Sequence, residues 1–326
     1  KRLLEGLLGA SAGSVRNAME LLKDDRFVVI SGDVITDIDL SAIVRYHVDK
    51  GAMATIGLTP VDNPLEFGIV ITKEDGSIER FLEKPTWGQV FSDTINTGIY
   101  VLEPSVFDYI EPGRSVDFSG EVFPALLRDG RPLFGAVATG YWEDVGTLEA
   151  YLRAHTDVLD QMVQLRVPGF QIADGVWVGE GSDISPEAVI EGPAVVGPEC
   201  VVEAGVRLGA YSVLGSHVRV LRNASVERSV LQDNTFVGAG ARQRGVVTGR
   251  GVNIHSSARL EEGVVLGDNV QIGTNAALTD GVKVYPGKVV ESGAIVNSSI
   301  IWESRGASSL FGRRGVEGLA NVDVSP

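Results

Sequence analysis

From Ile172 onward every sixth position is aliphatic: Ile172, Val178, Ile184, Ile190, Val196, Val202, Leu208, Leu214, Val220 and Val226. The count resumes at Ile254 and runs through Leu260, Leu266, Ile272, Leu278, Val284, Val290 and Val296. A helix repeats its faces about every 3.6 residues and a half-buried strand about every 2, so neither needs an aliphatic at each sixth place. Stacked hexapeptide turns do, because each turn sets one side chain into a shared internal column. The spacing predicts a parallel β-helix over residues 166–303. Gly179, Gly197, Gly209, Gly215, Gly267 and Gly273 each follow a rung, where the coil turns a corner and glycine adopts the angles at little cost. Between Val226 and Ile254 the phase slips, and Arg242, Gln243 and Arg244 with Arg250 read there as a solvated basic insertion. The ladder aliphatics themselves are core and carry no chemistry.

The first half follows other periods. Val15, Ala18, Met19 and Leu22 share one face of a helix over Ser11–Lys23, with a serine as its cap. Phe27–Ser31 is a continuous apolar run, as in a strand buried on both faces, and it ends in Gly32 and Asp33. Asp39 caps a second helix that runs to Lys50 and stops at Gly51, and Ala52–Pro60 is a second buried strand. Strand, helix and strand at this spacing imply a βαβ unit in a parallel sheet, where ligands collect at the carboxyl ends of strands. Asp33 stands at such an end. Strands at Gly68–Thr72 and Ile78–Leu82 flank an Asp75-Gly76 turn, and the second leads into Glu83-Lys84-Pro85. Asn96 opens the apolar strand Ile95–Leu102, and a buried asparagine there either ties down a loop or reads a ligand. Asp117 starts a helix bearing Val122, Phe123, Leu126 and Leu127. Strand Leu133–Thr139 then runs towards a second strand-end carboxylate, Asp144. Thr147 caps a long helix with Leu148, Tyr151, Leu152, His155, Leu159 and Met162 on its inner side. Two such aspartates suit magnesium, which takes one or two carboxylates and completes its shell with substrate phosphate oxygens.

Composition narrows the field. The chain has 326 residues, 44% hydrophobic and 22% charged, as a folded chain of two domains would. A net charge of −15 argues against nucleic acid and against an anionic membrane surface as partners. Cys200 is the single cysteine, so no disulfide or thiolate zinc site is available within the chain, and a reducing compartment is the simplest home. Its four histidines, His47, His155, His217 and His255, have no metal spacing. No apolar run approaches the ~18 residues of a membrane span, and Lys1–Ala10 does not read as a signal peptide. The expected location is the cytoplasm.

With these residues assembled, the first half resembles the sugar-1-phosphate nucleotidyltransferase family, and the hexads resemble the left-handed β-helix tails that some of its members carry. The resemblance runs in order: Ser11, Ala12 and Gly13 in the base-contacting loop; Ser31-Gly32-Asp33 at the first magnesium aspartate; Gly68 at the sugar-contacting glycine. Glu83-Lys84-Pro85 then matches the sugar and phosphate clamp, Asn96-Thr97-Gly98-Ile99-Tyr100 the sugar-reading strand, and Trp142–Thr147 the second magnesium site. The resemblance implies an α/β fold, with a Rossmann-like nucleotidyltransferase domain over 1–165 followed by an all-β left-handed parallel β-helix. It also implies that Asp33 and Asp144 hold Mg2+. Lys84 would hold the sugar phosphate, Glu83, Asn96, Thr97, Gly98 and Gly68 would bind the sugar, and nucleoside triphosphate and sugar 1-phosphate would be the substrates.

The sequence departs from the family at its start. No Gly-x-Gly-Thr-Arg-Leu-x-Pro phosphate loop appears, and the family's Gly-Thr-Ala-Gly reads Gly9-Ala10-Ser11-Ala12-Gly13, which implies an N-terminally truncated and impaired nucleotide half. Residues 304–326 form a linker followed by Leu310–Asn321, which resembles the opening strand of phosphohexomutases. That pairing implies a parent with a fused mutase and points to GTP and mannose 1-phosphate, giving GDP-mannose. Two alternatives stand beside this: a non-catalytic regulatory or assembly subunit, and a hexapeptide-repeat acyltransferase with His255 as its histidine. A homo-oligomer is expected, because β-helix tails often stack between subunits.

Overall fold

The computed structural model describes residues 11–61, 68–82 and 94–301, with the short pairs 305–306, 311–312 and 315–316. Contacts group Lys1–Ala154 into one compact unit and His155–Pro326 into a second. The change of unit falls inside a helix, upstream of the 165/166 boundary expected from sequence.

The first unit is built on a mixed sheet. Helices α1 (Ser11–Arg16) and α2 (Met19–Leu22) lead into β1 (Phe27–Ile30), followed by β2 (Val34–Thr36), α3 (Leu40–Lys50) and β3 (Ala54–Pro60). A hairpin of β4 (Ile69–Thr72) and β5 (Ile78–Leu82) precedes β6 (Thr94–Leu102). After a π-helical turn at Phe118–Val122 come α4 (Phe123–Arg128), β7 (Leu133–Val137), β8 (Trp142–Asp144) and α5 (Leu148–Leu159). The sheet order is β5-β4-β6-β3-β7, with β1 also on β6, while β2 and β8 pair separately.

This corrects the expected parallel sheet. β1 and β3 do point the same way, but both are antiparallel to β6, which lies between them, and among the described strands of this sheet only β3 and β7 pair in parallel. Nor is β1 buried on both faces: Phe27 is buried, but Val28 and Ile30 are exposed. Among the described residues β1 is paired on one side only, and the face bearing Val28 and Ile30 is left uncovered. The helix expected over Ser11–Lys23 is broken at Asn17-Ala18, and the Ser11 hydroxyl bonds Asp117 and Phe118 instead of capping its own helix.

Alternation along β6 sorts its side chains into two cores. Tyr100 and Leu102 join Phe107, Phe118, Phe123 and Leu126 on one face, while Ile99 and Val101 join Ile43 and Ala136 beneath α3 on the other. Phe118 and Phe123 are fully buried and stack 5.5 Å apart, and burying each contributes about 3 kcal/mol. The predicted caps are present: Asp39 accepts from Ala42 N, Gly51 ends α3 in the left-handed region, and Thr147 Oγ1 accepts from Ala150 N. Met162 lies beyond the end of α5 and is exposed; Ala150, Ala154 and Leu159 are its buried positions.

The second unit is a left-handed parallel β-helix of short strands stacked into three sheets. Rungs Val196, Val202, Leu208, Leu214, Val220 and Val226, and again Ile254 to Val290, are at most 2% exposed. Ile172 is an exception at 61%: it lies in β9 (Phe170–Ala173), which pairs antiparallel with β10 (Val176–Val178) at the end of the stack.

Two expectations about this unit fail. The stretch between Val226 and Ile254 is no insertion, because the column continues through Leu231, Val237, Gln243 and Thr248, all 2% exposed or less. Val226 to Leu231 and Gln243 to Thr248 are five-residue steps, and the strands pair in unbroken parallel register across them. Arg242–Arg244 is therefore a strand with Gln243 turned inward. The glycines after the rungs also work differently from expectation. None has a positive φ; the left-handed corner lies at the third residue after a rung, at Glu199, Tyr211, Asn223 or Gly281 for example. Gly197 and Gly273 are glycine because a Cβ would stand 2.3 Å from Gly215 O and 2.4 Å from Ser292 N in the next coil.

No helix among the described residues is long and apolar enough to cross a membrane.

Candidate active site

Asp33 leaves the carboxyl end of β1 just before β2, and Asp144 closes β8. The β2–β8 ladder sets Val34 opposite Asp144 and Ile35 opposite Glu143, and Val145 N donates to Asp33 O at 2.9 Å. Two residues more than a hundred positions apart in sequence are thus neighbours across a two-stranded ribbon. Their charges meet as well. Partial burial raises the Asp144 pKa first, the nearby Asp33 carboxylate raises it further, and Glu143 adds to the effect. Glu143 is itself paired with Arg153.

A bulge in β6 holds this ribbon to the main sheet. Ile56 pairs with Tyr100 but Leu58 with Asn96, so β6 carries extra residues opposite Gly57. Gly98, at φ +73°, accepts from Ser31 N through its carbonyl at 3.0 Å, and a Cβ there would stand 2.6 Å from Ser31 Oγ. Thr97 O accepts from Trp142 Nε1 at 2.9 Å. Asn96 closes the loop on itself: its Oδ1 accepts from Gly98 N, and its Nδ2 donates to Tyr100 Oη and Ser119 Oγ. Gly68 joins the same place, since its carbonyl accepts from Asn96 N at 3.3 Å. Ser11, Ala12 and Gly13 connect through the turn at 116–119. Ser11 Oγ donates to Asp117 Oδ1 and accepts from Phe118 N, while Ala12 N and Gly13 N donate to Val116 O.

Asp33, Asp144, Gly68, Asn96, Gly98 and Ser11 therefore belong to one connected network. Thr97 is reassigned within it. Its side chain is 1% exposed and its hydroxyl donates to Gly57 O, so it supports the bulge and offers no hydroxyl to a ligand. Glu83 and Lys84 lie outside the described residues, as do Lys1–Ala10 and most of Leu310–Asn321; within the latter, Phe311-Gly312 pairs antiparallel with Gly315-Val316. Sequence reasoning passed over Ser31, Ser119 and the indole of Trp142. Ser31 and Trp142 sit beside the aspartates in the motifs already read, which was the available signal. His255 is exposed, and no group of three or more His, Cys, Asp or Glu side chains able to hold a metal occurs among the described residues.

Residues 3–161 match the family model described as Nucleotidyl transferase, and 185–260 match that described as GlmU-like, C-terminal hexapeptide. The chain belongs to the sugar-1-phosphate nucleotidyltransferase family. A UTP–glucose-1-phosphate uridylyltransferase of Synechocystis sp. is 35% identical over 245 residues, covering 73% of this chain and 63% of that protein. A mannose-1-phosphate guanylyltransferase of Mycobacterium tuberculosis is 35% identical over 224 residues, covering 67% and 60%. A glucose-1-phosphate adenylyltransferase of Bradyrhizobium diazoefficiens is 33% identical over 261 residues, covering 70% and 60%. This family member thus spans less than two thirds of each of these relatives, and they differ among themselves in both base and sugar.

Proposed function

We propose that the chain serves the transfer of a nucleotide to a sugar 1-phosphate, with release of pyrophosphate, and that the product is GDP-mannose formed from GTP and mannose 1-phosphate. The observation that carries the reading is the convergence of Asp33 and Asp144 on one ribbon, beside the bulge bearing Asn96 and Gly98. Guanylyl transfer to mannose is supported by the guanylyltransferase relative and by the phosphohexomutase-like stretch after residue 309.

The residues fit a hard divalent cation. Two oxygen-donor side chains adjoin, the Asp33 carboxylate adds to the cost of charging the partly buried Asp144, and a cation between them removes that cost. Magnesium held by Asp33 and Asp144 would neutralise triphosphate charge as the sugar phosphate oxygen attacks the α-phosphorus in line and pyrophosphate leaves. The chain's own part is positional. The ribbon fixes the two carboxylates relative to each other, and the bulge fixes the ribbon to the sheet. Lys84 is proposed to take the charge of the sugar phosphate, with Glu83 beside it to read a sugar hydroxyl. The Asn96 amide is committed to Gly98, Tyr100 and Ser119, so its part is to shape the bulge.

The test is pyrophosphate release by the purified chain with magnesium and each of three pairs: GTP with mannose 1-phosphate, UTP with glucose 1-phosphate, and ATP with glucose 1-phosphate. The expected result is fastest release with the first pair, abolished by Asp144→Asn with circular dichroism unchanged. Faster release with either glucose pair overturns the GDP-mannose assignment, and no release with any pair overturns transfer by this chain.

A further inference from the structure

Strands β2 and β8 form a ribbon of their own, outside the main sheet, and both carboxylates ride on it. Inside the ribbon Asp33 and Asp144 are held together without help from elsewhere, through the ladder and through Val145 N on Asp33 O. Where the ribbon sits on the sheet is a separate matter. One bond to the bulge comes from the Asp33 side, Ser31 N to Gly98 O at 3.0 Å. Another comes from the Asp144 side, Trp142 Nε1 to Thr97 O at 2.9 Å. The two acceptors are consecutive carbonyls of one bulge.

That bulge is itself fixed. Thr97 Oγ1 donates to Gly57 O at 2.8 Å, and a Cβ on residue 57 would stand 2.9 Å from the same hydroxyl, so the close contact depends on glycine there. Asn96 Oδ1 holds Gly98 N at 2.9 Å. The Trp142 ring packs partly buried against the cluster of Ile38, Ile43, Ile99, Val101 and Ala136, which places the indole but does not aim it. Packing is non-directional; the N–H bond to Thr97 O is the directional element.

We infer that Trp142 is a positioning residue whose indole N–H locks the carboxylate ribbon onto the Asn96–Gly98 bulge of β6, so that the metal ion shares one frame with the main sheet, whose strand β5 leads into Lys84, the residue proposed above to hold the sugar phosphate. The inference rests on the metal-site reading given above. It has a specific consequence: loss of the N–H leaves the carboxylate pair intact while the pair moves relative to the bulge. Displacements of about 1 Å are enough to matter to transfer chemistry.

The experiment uses Mn2+ as the probe on the full chain. Two variants remove the donor: Trp142→Phe, and replacement of the Trp142 indole by benzothiophene, which keeps the shape of the ring. Electron paramagnetic resonance gives the Mn2+ affinity, and the relaxation that bound Mn2+ induces in the 31P signals of mannose 1-phosphate and glucose 1-phosphate reports the metal–phosphate separation. The expected result for both variants is Mn2+ affinity within about twofold of wild type, with relaxation lowered about threefold, as a ~1 Å shift on a ~5 Å separation gives through its inverse sixth power. Unchanged relaxation in both variants overturns the inference. So does a more than tenfold loss of Mn2+ affinity in the benzothiophene variant, which would make the indole part of the ribbon's own folding. Wild-type chain that binds no Mn2+ removes the metal-site reading itself and takes the inference with it, a result distinct from the other two.

Discussion

Two polar rungs of the β-helix are predicted to respond to the same kind of substitution with opposite signs. Gln243 is 2% exposed, lies between Val226 and Leu260 in its column, and has neither Nε2 nor Oε1 hydrogen-bonded. Thr248 is equally buried, but its hydroxyl accepts from Gln232 N at 3.1 Å and lies 3.2 Å from Thr235 Oγ1. An unmet buried polar group costs about 1–3 kcal/mol, so Gln243→Leu, which removes an unpaired amide and keeps most of the volume, should stabilise the β-helix by about 2 kcal/mol. Thr248→Val strips Gln232 N of its acceptor and should destabilise by about 1–2 kcal/mol. Equilibrium urea unfolding at pH 7 reads both, with the shift in midpoint multiplied by an unchanged slope giving the difference. A lower midpoint for Gln243→Leu would refute the reasoning, because it would mean that the amide contributes to the fold.

The glycines offer a second contrast: Gly197→Ala should cost about 3 kcal/mol by driving a Cβ into Gly215 O, whereas Gly281→Asn, at φ +71° with nothing within 4 Å, should be neutral within about 0.5 kcal/mol in the same urea assay. The first unit has a pH dependence centred on His47. The ring is 1% exposed, with Nδ1 2.9 Å from Thr55 Oγ1 and Nε2 3.3 Å from Glu103 Oε1, while Arg26 also pairs with Glu103. Burial lowers its pKa below the ordinary 6.5, with Glu103 opposing and Arg26 adding to the fall. A depressed folded-state pKa favours the neutral ring, so this stability is present above pH 6.5 and is lost as pH falls towards the folded pKa. His47→Gln should flatten the wild-type loss between pH 7 and 5, by no more than about 1.4 kcal/mol per pH unit in thermal unfolding. Gly98→Ala should move the Ser31 loop on the bulge, since its Cβ would stand 2.6 Å from Ser31 Oγ, and so change the 31P relaxation that bound Mn2+ induces in mannose 1-phosphate while leaving Mn2+ affinity within about twofold.

Periodicity exposed most of the β-helix because every rung faces the same environment, the column above and below it. It failed where two steps shorten by one residue: a count fixed at six steps over Leu231, Val237, Gln243 and Thr248 and leaves the inward Gln243 looking like part of a basic loop. The corner glycines were found for the wrong reason, since the close approach of the next coil is a tertiary fact that backbone propensity does not carry. In the first unit, caps such as Asp39 and Thr147 were legible because they act within a few residues. The place of β6 between β1 and β3 was not, because an apolar run at a sheet edge reads like one at its centre. Likewise Asp33 and Asp144 announced themselves as strand-end carboxylates. The donor role of the Trp142 indole and the commitment of the Thr97 hydroxyl depend on a bulge that forms only when three strands meet.

The central claim is that Asp33 and Asp144 share one divalent cation. Isothermal titration of Mn2+ into the wild-type chain, Asp33→Asn and Asp144→Asn tests it most directly. The account predicts a single site in the wild type that either substitution weakens by at least tenfold, with both variants folded by circular dichroism. Equal Mn2+ affinity in all three proteins would contradict it.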